Sequence, residues 1–226
     1  MNALATEIDH LVVAVNSLDE GRAWAQQILG AVPVGGGKHD GLATQNTLLK
    51  LDATDASNRR RYLEIIAIDP DAGAANFARW FGLDGDEVQA DIRHGPRLVA
   101  WVARCSGAPD AIEQLAVTPG YAANVVRAAS RADFRWRFAF TPDGARIAGG
   151  TVPHLIQWEG AAHPCDRLPA SGVSLTALML GMPEPLGTTE LLDSLRFSDA
   201  NVQIGQSAAP SLVAILQSPN GCVVLD

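Results

Sequence analysis

Polar residues set into apolar strands recur along this chain at nearly constant spacing, and that recurrence limits the folds open to it. His10 lies within Ile8-Asp9-His10-Leu11-Val12-Val13-Ala14-Val15, and Glu64 within Arg61-Tyr62-Leu63-Glu64-Ile65-Ile66-Ala67-Ile68. Gly95-Pro96-Arg97-Leu98-Val99-Ala100-Trp101-Val102 repeats the first run with Arg97 in the place of His10. Val152-Pro153-His154-Leu155-Ile156-Gln157-Trp158 repeats the second with His154 in the place of Glu64. The offsets are 87 residues (10 to 97) and 90 residues (64 to 154). A period of this size reads as fused copies of one supersecondary unit. Strands bury polar side chains only where something satisfies them, so all four residues are expected to face one place.

Period-2 and period-3.6 segments alternate along the chain. A strand over 7–15 leads to Ser17 and Glu20, a capping-box pair, and a helix over 18–29 that stops at Gly30. A Gly35-Gly36-Gly37 loop, a strand over 45–51 and the Glu64 strand complete one βαβββ unit. A helix is expected around 74–81. The second unit starts at Arg97, with a helix over 110–117 and strands over 125–129, 134–140 and 151–158. Pro142-Asp143-Gly144 breaks the last two. A shorter third unit has a strand over 173–180, a helix over 187–196 and strands over 202–204, 212–216 and 222–225. The fold class is therefore α+β, one domain of units 6–90, 91–165 and 171–226.

Composition removes several functions. The net charge is −8 and no basic run is longer than Arg59-Arg60-Arg61, which gives nucleic acid or anionic lipid little to bind. No apolar stretch reaches the roughly 18 residues of a membrane helix. The opening residues lack a basic region followed by an apolar one, so no secretory leader is expected. Cys105, Cys165 and Cys222 are far apart and odd in number, which fits neither a disulfide framework nor a zinc knuckle and suits a cytoplasmic setting. Gly35-Gly36-Gly37-Lys38 is no phosphate loop, because the Gly-Lys-Ser/Thr ending is missing and a strand follows. Without a Gly-x-Ser-x-Gly elbow or a Cys/His pair, nucleophilic hydrolysis has no support.

Paired βαβββ units with ligand-type residues on their first and last strands resemble the vicinal oxygen chelate superfamily, which includes glyoxalase, the extradiol dioxygenases and fosfomycin-resistance enzymes. More narrowly, the chain resembles bacterial glyoxalase-like domain proteins, through 8–15, 35–49, 62–70 and 153–169. The resemblance implies half-barrels that pair into a cup around a small-molecule site. It also implies metal ligands from the first and fourth strands, at positions that here hold His10, Glu64, Arg97 and His154. Arg97 departs from that pattern, since arginine cannot ligate a cation. His10, Glu64 and His154 remain, a set suited to Fe(II), Mn(II) or Zn(II). Gln45 stands where the resemblance leads one to expect a histidine.

Three functions stay open at this point. The first is an enzyme of glyoxalase or dioxygenase type acting on a small, anionic, oxygenated substrate. There a divalent metal acts as Lewis acid, Glu64 and His10 are catalytic, and Arg97 and Gln45 contact substrate. The second is a metal-free protein that sequesters a small ligand, with Arg97 paired to Glu64. The third is a metal-free enzyme with Glu64 or His10 as general base. Phe134, Trp136, Phe138 and Phe140 alternate with Arg135 and Arg137. The aromatics are expected against helices, and the arginines either in the cup, as an anion clamp with Arg97, or in solvent. Alternation places His10 with Ile8, Val12 and Ala14, and Glu64 with Tyr62, Ile66 and Ile68. His39, Asp40, His94 and His163 read as surface loop residues. The partner is a small molecule, and a homodimer is left open.

Overall fold

The computed structural model describes residues 3–39, 41–54 and 60–226; Asp40 lies outside them. The first half contains β1 (Ala5–Ala14), α1 (Leu18–Trp24), β2 (Val34–His39), β3 (Thr44–Leu51) and β4 (Arg61–Ile68). After α2 (Asp86–Ile92), the second half repeats it as β5 (Arg97–Ser106), α3 (Ala111–Ala116), β6 (Val125–Arg131), β7 (Phe134–Phe140) and β8 (His154–Trp158). All eight strands form one curled sheet in the order β2-β3-β4-β1-β5-β8-β7-β6. Its centre is the antiparallel β1–β5 pair, flanked by β4 parallel to β1 and β8 parallel to β5.

Local chemistry explains the elements. Ser17 caps α1 by accepting from the Glu20 amide, and Asp19 and Glu20 place negative charge in the first turn. The helix runs on as a π-helical turn over Ala25–Leu29 and ends at Gly30 in the left-handed conformation. Gly35-Gly36-Gly37 belongs to β2 rather than to a loop. Gly36 has φ +86°, and a Cβ there would collide with the Asn46 carbonyl, so only glycine lets β2 lie this close to β3. The helix expected around 74–81 does not form. A short 3₁₀ turn over Trp80–Gly82, with Phe81 at φ 60°, drops two adjacent aromatics into the cup together. On a helix these neighbours would diverge by about 100°.

The third unit has the same element order, with β9 (Ser174–Met182), α4 (Pro185–Ser194), β10 (Val202–Gln206), β11 (Ser211–Ser218) and β12 (Gly221–Leu225). It pairs differently, as β10-β9-β11-β12, and so makes a separate four-stranded sheet rather than extending the large one. Both faces of the large sheet are buried. Leu11, Val13, Leu63, Ile65 and Trp101 pack on the outer face with α3 and the small sheet. Val12, Ile66, Trp80, Phe81, Val102, Phe138 and Ile156 fill the cup. Among the described residues no helix is long and apolar enough to cross a membrane.

Candidate active site

A bulge in β1 builds the floor of the cup. Ile8 pairs with Ala103 and His10 with Val102, which leaves Asp9 as the extra residue. The bulge turns Ile8 to the outer core and His10 into the cup, so the two do not share a face as simple alternation predicts. Asp9 is fully buried among four donors. Its Oδ1 accepts from His10 Nδ1 at 2.7 Å. Its Oδ2 accepts from Trp158 Nε1 and His163 Nε2, both at 3.0 Å, and from Arg104 Nη1 at 3.4 Å.

The other nitrogen of His10 lies 3.4 Å from Glu64 Oε2, and the ring stacks on Tyr62 with centroids 4.5 Å apart. Glu64 Oε1 accepts from Asn46 Nδ2 at 2.5 Å. That amide is fully used, because its oxygen accepts from Gly37 N at 2.9 Å and Arg131 Nη1 at 3.1 Å, and its nitrogen also meets His39 Nε2 at 3.2 Å. The two donors on its oxygen fix its orientation and aim its N–H at the Glu64 carboxylate.

Burial alone would lower the His10 pKa, but hydrogen bonds to Asp9 and Glu64 outweigh it and raise it to about 9. Burial would raise both carboxyls. His163 and His10 instead hold Asp9 well below the usual range, and His10 above all holds Glu64 down. The floor is therefore carboxylate–imidazolium–carboxylate at neutral pH. His154 goes the other way. Burial against Phe81 and Phe138 pushes it down to about 4, so it stays neutral.

These shifts predict a two-sided stability profile. A pKa raised from 6.5 to about 9 makes His10 stabilising below pH 6.5, and that contribution, roughly 3 kcal/mol, is lost as pH rises to 9. His154 is depressed, so acidification from 6.5 to 4 also costs stability, because only the unfolded chain takes up its proton. Urea midpoints should peak near pH 6.5. A profile that is flat from 6.5 to 9 would contradict a charged His10.

Above the floor lies a cavity of about 500 Å³ lined by Lys38, His39, Trp80, Arg127, Arg131 and Phe140 among others. His39, Trp80, Arg131, Trp136 and Phe138 are shared with a narrow extension that ends at His10 and Glu64. Glu64 is 5% exposed at that deep end.

The residues singled out in the sequence divide between this place and others, and only His10 and Glu64 meet here. Gln45 pairs with Ala67 of the outer core, whereas its neighbour Asn46 pairs with Ile66 of the cup. Arg97 sits 3.5 Å from Asp226, so the anticipated Arg97–Glu64 pair is not made. The aromatic strand is turned over relative to expectation. Trp136, Phe138 and Phe140 line the cup, and Arg137 bonds Glu113 of α3 at 2.7 Å under the helix. Arg135 is exposed. His154 uses Nδ1 on the Ala139 carbonyl at 3.2 Å and packs its ring between aromatics. His39 and His163, expected in surface loops, are part of the site, as are Asp9, Asn46, Arg127 and Arg131. The adjacent polar pair Asp9-His10, which breaks alternation in an apolar run, is the one signal in the sequence for a bulge.

A family model described as a glyoxalase-like domain matches residues 8–196. The chain belongs to the glyoxalase-like domain family, and with it to the vicinal oxygen chelate superfamily. Comparison with curated proteins returns no match. Among solved structures, a hypothetical protein from Staphylococcus aureus is similar at 11% identity and TM-score 0.61, over 98% of each chain. Methylmalonyl-CoA epimerase from Mycobacterium tuberculosis is similar at 21% identity and TM-score 0.41, over 69% of this chain and 88% of that one. The Streptomyces coelicolor epimerase with 2-nitronate-propionyl-CoA is similar at 17% identity and TM-score 0.43, over 71% and 100%. These likenesses concern the fold.

Metal-dependent members of the superfamily take ligands from first and fourth strands of both halves, and strand pairing shows what this glyoxalase-like domain offers there. His10 pairs with Tyr62, and Val102 with His154. Val12 pairs with Glu64, and Arg104 with Ile156. Both ladders keep one register, 52 residues from strand to strand (10 to 62, 102 to 154), and superposing them from their first pairs shifts every residue by 92. The counterparts of His10 and Glu64 are therefore Val102 and Ile156, which carry no ligand atom. Among the described residues no three His, Cys, Asp or Glu side chains are grouped to hold an ion. The donor set does not fit a metal. Val102→His combined with Ile156→Glu should supply the missing half, and Co(II) absorption bands should appear in that double variant only. Stoichiometric Co(II) binding by the unmodified protein would overturn this.

Proposed function

We propose that this protein is a metal-independent small-molecule enzyme that moves a proton on an anionic, oxygenated substrate held in the cup. The observation that carries it is the ionised Glu64 carboxylate at the closed end of a cavity, fixed by His10 and Asn46. A carboxylate held this way has free lone pairs on both oxygens and can accept a proton from carbon beside a carbonyl. His10 stays charged next to it and keeps it ionised and oriented. Arg131 reaches both cavities, spends one hydrogen bond on Asn46 and has further donors for the oxyanion that forms. The arrangement supports a lyase or isomerase step better than oxygenation. Three free cysteines suit a cytoplasmic setting.

The depressed Glu64 pKa favours one rival, a binding protein that uses the same cup without turnover. The test is solvent deuterium exchange followed by NMR, with a chelator present and a panel of 2-oxo acids such as phenylpyruvate and 2-oxobutyrate. Catalysed loss of the C–H signal is expected for at least the acids that bind. Tight binding without exchange would establish the rival instead.

A further inference from the structure

The wall of the cup carries more information than its floor. Trp80 and Phe140 lie parallel, 6° between planes and 5.5 Å between centroids, and Phe138 stands edge-on to both. On β6, residues 127, 129 and 131 face Phe138, Trp136 and Phe134 across the strand pair. Cross-strand partners share a face, so Arg127 and Arg131 point to the aromatic side about 13 Å apart, with only Ala129 between them. The guanidinium of Arg127 lies 3.7 Å above the Phe77 ring and 5.5 Å from Phe140. Among the described residues no carboxylate lines the 500 Å³ cavity or lies within ion-pair distance of Arg127, in a chain of net charge −8. The indole nitrogen of Trp80 is buried and has no hydrogen-bond partner among the described residues, although its ring lines both cavities. A buried N–H without an acceptor calls for an explanation, and a ligand oxygen is one that the neighbouring cavity allows.

We infer that the cup takes a flat aromatic carboxylate. Its ring lies on the Trp80–Phe140 wall in the gap over Ala129, its carboxylate meets Arg127, and one oxygen accepts from Trp80 Nε1. Stacking selects the flat ring, and the guanidinium, already held by Phe77, selects the charge. This assignment rests on the reading of the cup as the substrate site and adds the substrate class.

Calorimetric titration of the full chain tests it with three probes of similar size: 2-naphthoate, uncharged 2-naphthalenemethanol and saturated decahydro-2-naphthoate. The aromatic acid should bind about tenfold or more tightly than either control. Arg127→Met should weaken 2-naphthoate about tenfold and leave the alcohol unchanged, while Trp80→Phe, which keeps the ring and loses the N–H, should weaken it a few-fold. Near-UV circular dichroism of each variant checks that the cup is intact. Equal affinity for acid and alcohol, or for flat and saturated acid, overturns the inference, and so does an Arg127→Met protein that binds like the parent. Failure here with exchange still catalysed removes only the ligand class. Binding as expected without exchange removes only the proton-transfer reading.

Discussion

Glu64→Gln should leave a folded protein whose exchange rate is lower by about 10²–10⁴, the usual contribution of a positioned general base. The amide keeps the size of the carboxylate and can still accept from Asn46 through its oxygen. It cannot take a proton from carbon. His10 would keep Asp9 but lose one of the two carboxylates that hold its proton, so its pKa should fall below about 9. Two measurements check this together, the exchange rate and the NMR titration of the imidazole. A variant with more than a tenth of the parental rate and a lowered His10 midpoint would mean that the proton goes to another group.

Asp9→Ala should be the most damaging single change to stability, by about 3–5 kcal/mol. Asp9 is fully buried and faces His10, His163, Trp158 and Arg104. Its removal leaves two imidazoles, an indole and a guanidinium without their shared acceptor, and uncompensated buried donors are costly. Domains are commonly stable by only about 5–15 kcal/mol, so the variant should lie close to unfolding. Arg137→Ala is the useful contrast. It removes the bonds to Glu113 and to the Pro109 carbonyl on the helix-covered face and should cost about 1–2 kcal/mol. Urea denaturation of both separates the cases. Similar losses would mean that the Asp9 cluster is not what holds this end of the sheet together.

The strands are legible in the sequence because their apolar runs are long and bounded by clear breakers. Which way each strand faces is not. Both faces of this sheet are covered, so alternation separates two sets of side chains without saying which set is inside. Nothing local therefore distinguishes Gln45 from Asn46 as the residue of the cup, or tells that the aromatics of β7 line the cup and leave the helices to Arg137. The repeat is visible, but apolar runs slide past one another without penalty on paper. Matching Arg97 to His10 falls five residues short of the offset that superposes the two strand ladders from their first pairs, which makes Val102 the counterpart. Asp9 and His163 are 154 residues apart and meet through tertiary folding alone. A local pattern has no means of joining them.

The offset of 92 residues has a stereochemical consequence. Two equal halves would set an acid–base group on either side of a bound molecule, and a hydrogen could leave from one side and return on the other. Here one half supplies Glu64 and His10, and the other supplies Val102 and Ile156 at the corresponding positions. If Glu64 is the group that moves the proton, hydrogen comes and goes on a single side. A prochiral methylene in the cup should exchange only one of its two hydrogens, and a stereocentre should emerge with the configuration it had on entry.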